Sequence, residues 1–252
     1  MATRDMNDWQ TSICQVVSDD NTDDIIVRGH RLDELIDELS FAGMMFLMLT
    51  GDKPTRAQAR VLDALLVASV EHGIAPPSMV ARCFASYGTS IQAAVGAGIL
   101  SFGDRMGGLG EQLARLLVDT IADLPPGEDP DHILLAERAN AVVAAKMTLK
   151  ERVPGYGIPL HGADPRAPKV LSIARAQGTH GKYCQLAEAI GEALARARGG
   201  RAVPMNLDGV SAAVILDLGF DWRTTRLFLL TARSISMGTH FLEEQGQDST
   251  WR

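Results

Sequence analysis

The chemically capable side chains of this chain sit at a few breaks in an otherwise apolar, helical pattern. Asp208 lies in "PMNLDGVSAA", where residues 206–209 form a loop directly before an apolar helix. A carboxylate there could cap the helix. Desolvated beside a ligand, it would gain basicity and suit proton abstraction from carbon. Arg233 and His240, in "TARSISMGTHFLEEQ", stand seven residues apart, nearly on one helical face. A guanidinium with apolar neighbours on both sides needs an anion, either a protein carboxylate or a ligand. His72, in "EHGIAPPS", is expected at the end of a long helix, where the dipole favours an imidazolium and a proline turn could present it to a cleft.

The stretch "VPGYGIPLHGADPRAP" (153–168) holds three glycines and four prolines. Glycine lets backbone approach a ligand closely and proline fixes the turns around it. Lys146 and Lys150 share a helical face just before it, with Arg152 beyond. They could compensate the helix C-terminus or bind phosphate. In "SFGDRMGGLG" (101–110) a helix ends at glycine and another begins after Gly107 and Gly108. The stretch reads as a plain turn or as backbone amides facing an anion or carbonyl oxygen.

These residues need a scaffold, and the sequence describes a helical one. Apolar residues make up 46% of the 252 positions and aromatics only 5%, enough for an aliphatic core. Helical periodicity runs through 55–71 after a Thr55 cap, 109–124 and 221–245. "DIIVRGHR" (24–31) reads as a short strand and turn, and "LDELIDELSFAGMMFLMLTG" as helix stopping at Gly51. The proline-rich break at 123–131 and the Gly-Gly break at 199–200 could bracket a subdomain.

A net charge of −7 gives no overall field for nucleic acid or an anionic membrane, so neither is expected as a partner. Three widely spaced cysteines, Cys14, Cys83 and Cys184, argue against a disulfide framework or zinc site and fit a reduced, cytoplasmic protein without a metal. The acidic "DLPPGEDPD" is read as a solvated connection. No membrane span or export signal is expected from the sequence.

Five motifs in order resemble the citrate synthase superfamily, particularly its short citryl-CoA lyase-like branch, over almost the whole chain. "VEHGIAPPS" resembles the family's "DHG.N.S" and "AAVGAGILSFGDRMGGLGE" its "AAV.AGLL..GD.HGGA.E". "VPGYGIPLHGADPRAPKVL" is similar to "VPGFGHPVHK..DPRA..L", "MNLDGVSAAVILDLGF" to "N.DG..AA.L.DLGF", and "LLTARSISMGTHFLEEQ" to "F..AR..G..AH..EQ". "IIVRGHRLDELIDELSFAGMMFLMLTGDKPT" resembles the N-terminal segment.

The resemblance implies an all-α, citrate synthase-like homodimer. Each subunit would have a large domain (1–109 and 216–252) and a small domain (110–215) closing over a CoA thioester and a carboxylated partner, a di- or tricarboxylate or a 2-oxo acid. The implied chemistry makes or breaks a carbon–carbon bond beside the thioester carbonyl. Asp208 matches the family's base, Arg166 and Arg233 its carboxylate-holding arginines, and His72 a histidine that touches the same acid. Pro154, Gly155, Tyr156 and Gly157 match backbone that lies against CoA. Lys146, Lys150 and Arg152 are placed near CoA phosphates by charge and proximity in sequence alone.

Two positions depart from the pattern. Met106 and Ile158 stand where the family usually has histidines that polarise the thioester and the ketone, and neither side chain donates a hydrogen bond. Losing one such donor costs about 10²–10³ in rate. His161 is the candidate replacement acid, with the Gly107 and Gly108 amides covering for the first histidine. The departures point away from standard citrate synthesis and set a catalytically degenerate CoA-binding homologue beside the enzyme as an alternative. Whether Arg252 or a partner subunit completes the site is left open.

Overall fold

Short polar side chains set several of the helix starts by accepting from otherwise unpaired backbone amides. Thr55 Oγ1 accepts from the Gln58 amide at 3.2 Å while Gln58 Oε1 accepts from the Thr55 amide at 2.9 Å, a reciprocal box. Asp131 accepts from the Leu134 amide at 2.8 Å and Asn206 from the Gly209 amide at 3.1 Å. Asn206 therefore does the capping at the start of its helix, which leaves Asp208 in the first turn released from that duty.

The computed structural model describes residues 10–18, 23–125, 127–157 and 164–247. The chain divides into two compact units, Met1–Leu62 and Asp63–Arg252. The first contains an antiparallel sheet of β1 (Cys14–Ser18), β2 (Asp23–Val27) and β3 (His30–Arg31), with Cys14 opposite Val27 and Ile26 opposite Arg31. Strand β2 and its turn follow the sequence pattern; β1 was not foreseen, because its short "CQVVS" is exposed throughout and has no alternating apolar face.

The expected long helix after the turn is two helices, α1 (Leu32–Glu38) and α2 (Phe41–Thr50), with Ser40 capping the second. Gly51 ends α2 in the left-handed conformation, as predicted. Val27, Leu35 and Leu47 form this unit's core. Helix α3 (Arg56–Ser69) runs across the unit boundary.

The second unit holds α4 (Pro76–Ser86), α5 (Ile91–Leu100), α6 (Leu109–Thr120), α7 (His132–Thr148), α8 (Arg166–Ala176), α9 (Lys182–Ala197), α10 (Leu207–Asp217) and α11 (Thr225–Gly246). Helix α10 is apolar on nearly all sides, and a helix of that kind belongs at the centre. Residues Val210 and Ala212 to Leu216 are buried, and α10 packs against α6, α8 and α9. Its last residue, Asp217, accepts from the amides of Gly181, Tyr183 and Cys184 at 2.8–3.0 Å and so caps α9 from outside. A second cluster joins α4, α5 and α11 through Ala81, Ala85, Ala94, Met237 and Phe241.

The start of α10 is laced to the loop before α8. Gly157 N–H donates to the Pro204 carbonyl at 2.8 Å, Asn206 N–H to the Gly155 carbonyl at 3.0 Å, and Asn206 Nδ2 to the Gly157 carbonyl at 3.0 Å. Gly155 and Gly209 meet where these strands cross. A Cβ on Gly155 would lie 2.8 Å from Gly209 Cα, and one on Gly209 would lie 2.4 Å from the Gly155 carbonyl oxygen.

Gly155 and Gly157 share a left-handed backbone, with φ of 82° and 83°, but an added Cβ at Gly157 meets no atom within 4 Å. Gly155→Ala should therefore cost roughly 2–5 kcal/mol, from backbone conformation plus overpacking. Gly157→Ala should cost only the backbone part, about 1–2 kcal/mol. Urea denaturation of the two variants side by side checks the difference; equal losses would mean that the Gly155–Gly209 contact is not the constraint.

Candidate active site

Asp208 stands in the first turn of α10, recessed among packed groups. Burial pushes its carboxyl above the usual range, and the nearby guanidiniums of Arg233 and Arg166 offset only part of that. Arg233, on α11, is itself buried, and its Nε has no hydrogen-bond partner. Burial works against its charge, Glu71 and Asp208 support it, and Arg166 opposes it. The three residues singled out from separate stretches of sequence, Asp208, Arg166 and Arg233, are thus brought into one electrostatic cluster.

Arg166 opens α8, an unfavourable place for a cation at the positive end of a helix. Asp164 compensates: its two oxygens accept from Arg166 Nε at 2.9 Å and Nη2 at 2.7 Å. Arg166 Nη1 is buried and has no partner among the described residues. Two guanidinium N–H positions left over beside a desolvated carboxylate describe a receptor for an anion.

His72 lies three residues past the end of α3, not within its last turn. It lines a cavity of ≈ 30 Å³ together with Arg233, Met106, Phe102 and Met237. Glu71 holds that turn in place. Its carboxylate accepts from the His72 amide at 2.7 Å, from the Gly73 amide and from Ser236 Oγ at 2.5 Å, and from His240 Nε2 at 3.3 Å. His240 Nδ1 in turn accepts from Arg82 Nε at 3.1 Å, so the imidazole proton sits on Nε2, toward Glu71. Arg82 completes the chain by pairing with Glu244 at 2.6 Å and with Glu243. His240, expected to share a functional face with Arg233, is a link in this network.

Met106 is half-buried in a tight turn in which Gly103 and Met106 exchange backbone hydrogen bonds of 2.9 and 3.0 Å. Gly107 follows at φ 86°, pressed against the Phe102 ring so closely that a Cβ would sit 2.3 Å away. Ile158 and His161 lie outside the described residues.

A separate recess of ≈ 1440 Å³ opens along α6, the end of α7 and the 152–157 loop. Arg152, Pro154, Gly155, Tyr156 and Gly157 line it, as does Lys146. Lys150 does not: α7 ends at Thr148, and the chain reverses through a left-handed Lys150 (φ 56°) that stands exposed. Tyr156 Oη is spent on the Ala187 carbonyl at 2.5 Å, and burial raises its pKa well above the ordinary tyrosine value.

Arg105, Arg115 and Arg198 also line the recess and were missed. Arg105 and Arg198 sit inside the glycine-rich breaks, which was the available signal; Arg115 reads as the polar face of a helix and is set against Trp222 at 5.6 Å. Five cations against Asp119 and Glu151 make the recess positive in a chain whose net charge is −7.

Burial raises the Glu71 carboxyl, but hydrogen bonds from Ser236, the His72 amide, His240 and the Gly73 amide outweigh it and bring the pKa from 4.5 to about 2. The folded value is depressed, so the stabilisation is present above pH 4.5 and is lost as pH falls toward 2. Its side chain is 47% exposed, so screening keeps the contribution modest. Thermal midpoints measured from pH 5 down to pH 2 should fall less steeply for Glu71→Gln than for the wild type; parallel slopes would remove Glu71 as the hub.

Residues 28–252 match the family described as "Citrate synthase, C-terminal domain". The chain is 28% identical over 187 residues to citrate synthase of Deinococcus radiodurans, covering 72% of this chain and 46% of that protein. It spans about half the length of the curated relatives it matches. Citryl-CoA lyase from Hydrogenobacter thermophilus is similar in structure with a TM-score of 0.83 and 32% identity, over 97% of this chain and 90% of that one. ATP citrate lyase from Methanothrix soehngenii, solved in complex with citrate and coenzyme A, shares the fold at 19% identity and a TM-score of 0.79, over 99% of this chain and 41% of that one. A motif order, a helical scaffold and a family match over nearly the whole chain agree: this chain belongs to the citrate synthase family.

Proposed function

We propose that the protein makes or breaks a carbon–carbon bond next to a CoA thioester carbonyl, acting on a carboxylated partner. The observation that carries this reading is Asp208, a carboxylate raised by burial and flanked by two guanidiniums with N–H groups to spare. In the synthetic direction Asp208 takes a proton from the thioester α-carbon, the resulting enolate attacks the keto carbon of the acid, and the keto oxygen gains a proton. In cleavage the hydroxyl loses its proton, the carbon–carbon bond breaks, and Asp208 returns a proton to the α-carbon. Raised basicity serves both directions. Arg166, Arg233 and His72 hold the acid's carboxylate, which fixes the reacting carbon against the α-carbon.

The positive recess suits coenzyme A. Its phosphates meet Arg105, Arg115, Arg152 and Arg198, and the Pro154–Gly157 backbone, with open space at the Gly157 α-carbon, lies along the pantetheine arm. The likenesses to citryl-CoA lyase and to an ATP citrate lyase that binds coenzyme A support this assignment. Met106 supplies no hydrogen bond to the thioester oxygen, so we assign that task to the amides of Gly107 and Gly108, and protonation of the acid's oxygen to His161. Residues 110–215 act as the small domain, the subunits pair as a homodimer, and the protein works in the cytoplasm. The desolvated Asp208 and the spare guanidinium N–H groups favour an enzyme over an inactive CoA-binding homologue.

Incubating the protein with acetyl-CoA and a panel of 2-oxo acids, and separately with 3-hydroxy-3-carboxyacyl-CoA thioesters, tests the reading by release or consumption of CoA. Asp208→Asn should lower turnover by at least 10³-fold, beyond the loss of a single hydrogen bond. It should also raise the thermal midpoint by about 2–4 °C for each kcal/mol of desolvation relieved. No Asp208-dependent turnover of any thioester would defeat the proposal.

A further inference from the structure

The cavity beside Arg233 limits what the acid partner can carry. At ≈ 30 Å³ it holds about one or two groups the size of a water or a methyl. Phe102, Met106, Met237 and Pro77 line it together with Arg233 and His72. Ser78 also lines it, but its hydroxyl is engaged with the Ala75 amide and the Gly73 carbonyl at 2.8 and 3.0 Å, so it caps α4 and does not serve a ligand. A carboxymethyl arm brings four heavy atoms and a charge; it would press a carboxylate against a thioether and a phenyl ring.

The charges agree. Among the described residues the cluster holds two cations, Arg166 and Arg233, against three carboxylates, Asp164, Glu71 and Asp208. Two nitrogens of Arg166 are committed to Asp164, and Arg233 already has Glu71 and Asp208 for company. Such a cluster can take one further carboxylate on the spare N–H groups of Arg166 and Arg233. Among the described residues of the cluster and the cavity lining, a second anionic arm would find no further guanidinium or ammonium to meet it.

We infer that the acid partner is a 2-oxo monocarboxylate with a one- or two-carbon alkyl arm, its carboxylate on Arg166 and Arg233 and its arm in the cavity formed by Phe102, Met106 and Met237. The inference rests on the proposed carbon–carbon chemistry and narrows its substrate. With acetyl-CoA and pyruvate the α-carbon loses a proton to Asp208, the enolate carbon bonds to the keto carbon as its C=O π bond opens, and the oxygen takes up a proton from solvent, balanced when Asp208 releases the one it took. The product is the CoA thioester of 2-hydroxy-2-methylbutanedioic acid; cleavage runs the same steps backward and needs no oxidant or reductant. Met106 thereby becomes a specificity-determining residue.

Calorimetric titration of the full chain with pyruvate, 2-oxobutanoate and oxaloacetate reads binding without turnover. Cleavage assays on the 2-hydroxy-2-methylbutanedioyl and citryl thioesters read kcat/KM. Pyruvate or 2-oxobutanoate should bind at least about tenfold more tightly than oxaloacetate, with the same preference in kcat/KM. Met106→Lys, at a half-buried loop position, supplies a cation to the cavity and should move the preference toward oxaloacetate by at least tenfold, while Met106→Leu should leave it in place. Oxaloacetate binding as tightly as pyruvate, binding of neither acid, or a preference that Met106→Lys does not move would overturn the inference. Rapid Asp208-dependent cleavage of the citryl thioester alone would sink this inference and leave the proposed chemistry standing. Selective pyruvate binding without any turnover would do the reverse.

Discussion

The contact between Gly155 and Gly209 is the constraint from which the rest of the site follows. Two backbones approach within a distance that a single methyl group would abolish, and the hydrogen bonds from 155–157 to 204–206 fix their register. One side of this crossing is the floor of the positive recess; the other is the first turn of the central helix, two residues from its Asn206 cap. Because the cap is an asparagine side chain and not the aspartate, Asp208 has no local hydrogen-bonding task and is available to a ligand. The loop that lines the recess and the acidic side chain are therefore positioned by one rigid joint.

Around that joint the protein maintains an unfavourable charge arrangement. Asp208 would be more stable neutral, Arg233 is buried with an unused Nε, and Arg166 begins a helix whose dipole opposes it. Each is compensated from outside: Arg166 by Asp164, the His72 turn by Glu71, and Glu71 by Ser236 and His240 on the helix that carries Arg233. The network ends at Arg82 and the buried Glu244, inside the packing of α4 against α11. The strain of the polar centre is thus carried by a helix pair whose own core is apolar.

Much of this was legible in the sequence because it rests on local rules. The Thr55 box, the Gly51 stop and the apolar periodicity of α3, α6 and α11 depend on near neighbours in the chain. Asp208, Arg166, Arg233 and His72 were found through ordered motifs. What escaped depends on distance in sequence: β1 is defined only by its pairing with β2, and Glu71 looks like an ordinary helix-end acid until Ser236 and His240 meet it. Lys150, placed near a ligand by charge and proximity, stands at an exposed left-handed turn outside the recess lining.

The turn at Gly103–Met106 separates two compartments by a single peptide. Arg105 belongs to the large positive recess and Met106, the next residue, to the small cavity beside Arg233. The turn closes on itself through two backbone hydrogen bonds and is followed by a glycine wedged against a phenyl ring, so it is braced internally. A group that displaced this turn from the recess would move a wall of the cavity, and any coupling of binding through it would be reciprocal. The large recess and the small cavity are in this sense walled by one turn of four residues.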